Sequence, residues 1–507
     1  MKKIIFSAKL VVVCACMMLA SACSDHEVDP NLGPYDTTDT TDTSTILSNY
    51  NEQYRPQIHY TPATNWINDP NGLVYANGTY HMFYQYNPQG NSWGNMSWGH
   101  ATSTDLVHWK EQSVALTRDE LGDIFSGSAV VDSANTAGFG AGAIVAIYTS
   151  SDTYQQQSLA YSTDGIKFTK YSGNPIIKST STDFRDPKVF WYAAGKKWIM
   201  ELATGSNHSI ELWTSTDLKT WTQMSTFTSS LSACNQGQWE CPDLFPLTYK
   251  SQQKWIQLVS TNPGGHVTGS STMYFIGDFN GTTFTADDSY SYPLWLDYGA
   301  DTYANATWNN INGRRIAIGW MNNWNYAGSV PTYPWRSAMT LPRELSLIDY
   351  NGKPILSNKV IPEISSIAGD WRNINDGALG NADAYEVQVT LPTSVSWTIT
   401  LSNDQGQEYS MTYDAADFRI IADRGSDTGS CSFSTGFAIP SINMPLNTDG
   451  GNVTLDIFVD RSSVETTTDT GSSSMTNILF PTNIYNHISL SGADGSIKVR
   501  SMKSIWK

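Results

Sequence analysis

A short motif recurs along the first two-thirds of the chain and constrains the fold more than any other feature. Asn68-Asp69-Pro70-Asn71-Gly72-Leu73-Val74-Tyr75 is followed by a turn at Gly78 and then by Tyr80-His81-Met82-Phe83-Tyr84. Arg185-Asp186-Pro187-Lys188-Val189-Phe190-Trp191-Tyr192 is followed by Gly195 and by Lys197-Trp198-Ile199-Met200-Glu201. A looser copy begins at Glu240-Cys241-Pro242-Asp243-Leu244-Phe245, with Lys254-Trp255-Ile256-Gln257-Leu258-Val259 as its second run. Each copy is an acid and a proline, a short apolar strand, a turn and a second strand.

Between these copies lies a second repeated element. Ser103-Thr104-Asp105-Leu106-Val107-His108-Trp109 matches Ser215-Thr216-Asp217-Leu218-Lys219-Thr220-Trp221, and Ser162-Thr163-Asp164-Gly165-Ile166-Lys167-Phe168 is a close variant. Asp and Gly favour a tight turn, and the following ring can pack an outer hairpin. Allowing a unit of about 50–60 residues, five equivalent points appear, at Asp69, Ser126, Asp186, Glu240 and Asp301. Short strands at this period, with no convincing amphipathic helix, predict an all-β fold beginning with a five-bladed β-propeller. Equivalent positions in such a ring lie at equal distance from one axis, so acids at the blade starts converge on a central funnel.

From about Ile348 the blade pattern stops. Tyr385–Leu391, Ser396–Leu401 and Leu455–Asp460 alternate apolar and polar residues with period two, which predicts a C-terminal β-sandwich. The expected organisation is therefore 1–22 signal, 23–52 flexible linker, 53–347 propeller and 348–507 sandwich.

The N-terminus reads as a targeting segment. Lys2, Lys3 and Lys9 precede an apolar run from Leu10 to Ala20 and the small residues Ser21-Ala22 before Cys23. The run is short for a membrane span. The stretch resembles a bacterial lipoprotein signal, which would make Cys23 the lipidated residue and anchor the protein to a bacterial membrane. The Thr/Asp/Ser-rich stretch that follows has almost nothing apolar to bury, so it reads as a tether. The formal charge of −17 argues against nucleic acid as partner, because phosphate binding needs Lys/Arg surfaces. Three cysteines remain beyond Cys23, at 234, 241 and 431, so no complete disulfide framework follows. A Cys234–Cys241 bridge and two free thiols both fit. No Cys/His cluster has zinc spacing, and no metal or cofactor is expected.

Three carboxylates around a polar funnel, in a chain with 18 Trp and 26 Tyr, suit glycosidic bond cleavage. That reaction needs one ionised and one protonated carboxyl across the bond, kept apart by their environments. The same residues carry a family resemblance. Trp66-Ile67-Asn68-Asp69-Pro70-Asn71-Gly72, Phe125-Ser126-Gly127-Ser128, Phe184-Arg185-Asp186-Pro187 and Trp239-Glu240-Cys241-Pro242-Asp243 resemble the signature blocks of glycoside hydrolase family 32, from about Gln57 to Leu347. The resemblance implies a retaining β-fructosidase of levanase, inulinase or invertase type. It implies Asp69 as nucleophile, Glu240 as general acid/base and Asp186 as the acid that grips fructose hydroxyls and supports the transition state. It places Asn68, Gln85, Trp93, Phe125, Ser126, Arg185, Asp301 and Trp320 around a terminal-fructose pocket. Trp324 and Tyr326 are expected beside its mouth. The substrate implied is a fructan, with attack from the chain end. Competing readings are an inverting arabinan-cleaving propeller, a fructosyltransferase on the same scaffold, and a non-catalytic fructan-binding lipoprotein, which would be expected to lose one of the acids. One departure from the family pattern is Thr466-Thr467-Thr468, where apolar residues are usual.

Overall fold

The computed structural model describes residues 49–506 apart from 376 and 449. The signal, Cys23 and nearly all of the tether lie outside the described residues. Between Asn65 and Val360 the chain forms five antiparallel sheets. Their first strands are Asn65–Ala76, Asp123–Asp132, Arg185–Tyr192, Gln238–Tyr249 and Tyr303–Thr307. Each packs beside the next, and the fifth packs beside the first, so the inner strands close a ring. The short strand Trp335–Arg336 pairs in parallel with Asn65 and Trp66, tying the end of the ring to its start.

The repeated Ser-x-Asp element forms the outer turns. In the first blade Ser103 Oγ accepts from the Leu106 N–H at 2.8 Å, and Asp105 Oδ1 accepts from Val107 and His108 N–H. Ser162 and Asp164 do the same in the second blade, and Asp217 in the third. The chain turns through positive φ at Leu106 (65°), Gly165 (77°) and Leu218 (61°). A glycine serves in the second copy because a Cβ there would stand 2.9 Å from the His81 ring. Trp109 and Trp221 each donate from the indole to the carbonyl of that turn residue, at 3.1 and 3.0 Å.

The fifth sheet runs beyond the expected boundary at 347. Arg343–Tyr350 pairs along its whole length with Lys353–Val360, so the change of texture at Ile348 falls inside an outer blade hairpin. Outer blade strands are half exposed and lose the apolar signature of inner ones, and this made the end of the ring look earlier. Two further sheets follow. One orders Arg372–Asn373, Ser496–Ser501, Tyr385–Pro392, Asn452–Asp460, Ser463–Thr468 and Ser474–Ile478; the other carries Ile439–Pro445, Arg419–Arg424, Glu408–Asp414, Trp397–Ser402 and His487–Ser491. Their inner faces share one apolar core. The threonine run lies on a fully buried strand, and Thr466 turns its hydroxyl to Met411 Sδ at 3.5 Å.

A buried polar network joins the ring to this region. The His59 ring lies between Asp460 and Glu465, 2.7 Å from each, and Arg343 pairs with Glu465. Burial alone pushes the imidazole down, but hydrogen bonds to the two carboxylates outweigh it and raise the pKa from 6.5 to about 9. Burial opposes the charge on Glu465, but Arg343 and His59 prevail and hold it at about 2. The His59 contribution is thus complete below about pH 6.5 and lost as pH rises through about 9. That of Glu465 is complete above about 4.5 and lost as pH falls through about 2. Thermal denaturation from pH 6 to 9 is expected to show a fall worth on the order of a few kcal/mol, and His59→Gln should flatten it. An unchanged pH slope in that variant would refute the charged state of the ring.

Candidate active site

In each inner strand the pairing slips near its start. The slips lie between Ile67 and Pro70, Ile124 and Gly127, Glu240 and Asp243, and Tyr303 and Ala306, and in the third blade opposite Glu201–Ala203. An extra residue frees side chains from the ladder and turns them toward the axis. Asp186, Cys241 and Ala304 take positive φ there, at 60°, 48° and 52°. These irregularities explain how a regular ring presents acids to one cavity.

That cavity has a volume of about 330 Å³. It is lined by Asn68, Asp69, Gln85, Trp93, Phe125, Ser126, Arg185, Asp186, Gln238, Glu240, Asn262, Tyr303 and Trp324. Asp69 Oδ1 accepts from the Asn68 amide at 3.0 Å, and Oδ2 accepts from Ser126 Oγ at 2.6 Å. The Asn68 amide is itself fixed, since its oxygen accepts from the Trp66 indole at 2.8 Å. Asp186 Oδ2 accepts the Cys241 N–H at 3.0 Å. The Cys241 thiol sits between the two aspartates, 3.4 Å from Asp69 and 3.7 Å from Asp186. Glu240 faces them from the next strand. Its Oε1 accepts from Arg185 Nε at 3.1 Å, and its Oε2 from the Tyr303 hydroxyl. Arg185 is oriented in turn by Asp183, Gln155 and Gln238.

Three acids in one cavity differ in environment. Burial raises the Asp69 pKa; the hydroxyl of Ser126 opposes this, and the charge of Glu240 adds to it. Asp186 is raised from 3.8 to about 7, by burial first, with Arg185 pulling against and Glu240 and Asp69 pushing further. Asp186 is thus the more strongly raised of the two aspartates, while Ser126 and Asn68 donate to Asp69. The arrangement offers a carboxylate held for attack on one side, a carboxyl gripped by a cation and a phenol on the other, and a third acid free to bond hydroxyls.

Three expected residues are placed elsewhere. Asp301 is fully buried, ion-paired with Arg424 and bonded by the Tyr326 hydroxyl at 2.5 Å, and it does not line the cavity. The place at the slip is taken in the fifth blade by Tyr303, two residues further on, which like Glu240 in the fourth is the last residue paired before it. A longer connection before the fifth blade moved the register, and spacing alone could not resolve it. Trp320 is buried behind the wall, its ring against Trp66 and Trp324. Tyr326 is equally buried, so Trp324 is the ring of that loop that reaches the cavity. Gln85 lines the cavity while its amide donates to the Ile124 carbonyl at 3.0 Å. Trp93 is 43 % exposed at the rim, edge-on to Phe125. Cys234 and Cys241 are free thiols, the first buried under the Trp239 indole and the second held between the aspartates. The residues missed were Tyr303, Gln238 and Asn262. Gln238 carried a signal, because it lies two residues before Glu240 and so shares its face of the strand.

The chain matches known families and proteins over nearly all of its described residues. The family model "Glycosyl hydrolases family 32 N-terminal domain" matches residues 59–358, and "Glycosyl hydrolases family 32 C terminal" matches 359–507. The chain is similar to the levanase of Bacillus subtilis, 43 % identical, with 90 % of this chain and 72 % of the relative covered. It is also similar to the extracellular exo-inulinase of Aspergillus niger, 40 % identical over 90 % of this chain and 96 % of the relative. The crystal structure of exo-inulinase from Aspergillus awamori superposes with a TM-score of 0.84 at 37 % identity, covering 90 % of this chain and 100 % of that one. A fructofuranosidase from Schwanniomyces occidentalis complexed with fructose superposes with a TM-score of 0.81 at 32 % identity, covering 90 % and 99 %.

Proposed function

Since the chain belongs to glycosyl hydrolase family 32, we propose that it is a retaining exo-β-fructosidase, releasing single fructose units from the non-reducing ends of fructans. The observation that carries this reading is the meeting of Asp69, Asp186 and Glu240 in one open cavity, each with different partners. Asp69 attacks the anomeric carbon of the terminal fructose while Glu240 protonates the departing oxygen, which leaves as the shortened chain. The fructosyl ester on Asp69 is then cleaved by water, which gives its proton to Glu240, and Asp69 is released. Two displacements at one carbon restore its configuration. Ser126 and Asn68 hold Asp69 in line for both steps, and Asp186 bonds the ring hydroxyls.

End-on attack follows from the closed floor of the ring. Asn309 reaches across it, donating to the carbonyls of Ala129 at 2.8 Å and Val189 at 2.9 Å, and the Lys188–Asp243 pair lies beside it. A chain end fits such a cavity better than a chain middle. Trp324 and the exposed ring of Trp93 stand where the next sugar units would pass, and binding there would favour polymer over sucrose. Levan is the first choice of polymer and inulin the second. The test is a time course on levan, inulin and sucrose. Free fructose as the only early product is expected. A ladder of oligosaccharides at low conversion would overturn exo attack, and growth of longer chains would mark transfer in place of hydrolysis.

The basic start, apolar run and Cys23 support a lipid anchor on a bacterial membrane, in the periplasm or at the cell surface. Cys23→Ala is expected to move the protein from the membrane to the soluble fraction, and its continued sedimentation with membranes would refute the anchor.

A further inference from the structure

The ring has a second opening, at the far ends of the same inner strands, and the cavity there is the larger of the two, about 500 Å³. Arg185 opens the catalytic cavity and Trp191 lines the other, six residues along one strand, so the two lie about 20 Å apart at 3.3 Å per residue. The plug formed by Asn309, Lys188 and Asp243 separates them.

Trp191 stands at the mouth, 43 % exposed, with its ring edge-on to Trp198 at 4.9 Å between centroids. A large ring left half in water at the rim of a cavity is a platform without a covering partner among the described residues. Trp255 adds a second flat wall. At the base, Asp243 is 1 % exposed. Its Oδ2 is engaged by Lys188 Nζ at 2.9 Å and by the Thr307 N–H at 2.7 Å, while its Oδ1 has no hydrogen-bond partner among the described residues. Arg315 also lines the cavity, and its buried Nε donor has no partner among the described residues. A buried acceptor and a buried donor left open in one cavity call for a group that both gives and takes a hydrogen bond. A sugar hydroxyl does both.

We propose that this far cavity is a second, non-catalytic saccharide site, which binds a neutral hexose unit of a fructan against Trp191 while its hydroxyls bond Asp243 and Arg315. The choice of fructan among saccharides rests on the function proposed above. Such a site would hold the enzyme on a branched or packed polymer while the opposite cavity consumes chain ends, raising the local concentration of ends.

The test uses the full chain made inactive by Asp69→Ala with Glu240→Ala, titrated with a four-unit inulin-type oligosaccharide. Two sites are expected. Adding Trp191→Ala, an exposed position that the fold does not need, should weaken one of them about tenfold or more and leave the other unchanged. In the active enzyme Trp191→Ala should leave sucrose turnover within about twofold and reduce retention on insoluble fructan several-fold. A single site that survives Trp191→Ala, or unchanged retention on the polymer, overturns the proposal. A site lost with Trp191 while none is found in the catalytic cavity supports the proposal and counts against the exo-fructosidase reading instead.

Discussion

Asp69→Ala and Glu240→Ala are each expected to lose about a thousandfold or more in fructan turnover, because covalent and acid/base catalysis each supply factors of that order. The two losses should separate on a fructoside whose leaving group departs without a proton. Glu240→Ala should then keep a fast first step and stall on the ester, giving a burst of leaving group followed by slow release. Asp69→Ala should show no burst, since no ester can form. The pH profile adds a second discrimination. Burial does most to raise the Asp69 pKa, and the charge of Glu240 contributes to it. Asp69 must be ionised to attack, so its raised pKa sets the acid limb of the first step. Ser126→Ala, which removes the hydroxyl that opposes the rise, should move that limb to higher pH on the activated substrate. Equal defects for both alanine variants on that substrate would sink the assignment of roles.

The ring and the three acids were legible in the sequence because both depend on local signals that repeat. Acid-proline starts, apolar strands and Ser-x-Asp turns recur, and a closed ring then brings equal positions together. What stayed hidden depends on register. Tyr303 reaches Glu240 only because the pairing slips after it, and nothing in Asp301-Thr302-Tyr303 marks which of its polar residues faces the axis. The split between ring and sandwich was hidden for a similar reason. The blade pattern fades by Ile348, yet Arg343–Tyr350 pairs along its length with the next hairpin strand of the blade. The partner of Asp301 was out of reach altogether, since Arg424 stands 123 residues away along the chain.

That pair carries the other large effect. Asp301 and Arg424 are both fully buried, with Arg424 supplied by the strand Arg419–Arg424 of the C-terminal sheets. Asp301 Oδ1 also accepts from the Tyr326 hydroxyl at 2.5 Å, and Oδ2 from the Ile478 N–H at 2.9 Å. Arg424 Nη2 donates to the same Tyr326 oxygen at 3.0 Å, and its guanidinium lies over the Phe437 ring at 4.3 Å. Trp324, on the Tyr326 loop, donates its backbone N–H to Ser270 and lays its ring beside Trp66 in the catalytic cavity. The C-terminal region thus fixes a wall of the site without touching it. Arg424→Met removes the cation and leaves Asp301 buried and unpaired, which should cost about 3–5 kcal/mol. The same variant should raise KM for oligosaccharides several-fold more than kcat falls, because Trp324 loses its support while the acids keep theirs. Adding Asp301→Asn, which removes the stranded charge, should restore part of the stability and little of the KM. Urea denaturation of the single and double variants, read beside their kinetics, separates the two effects. A cost for Arg424→Met below about 1 kcal/mol, or a loss confined to kcat, would show that the buried pair neither holds the two regions together nor positions Trp324.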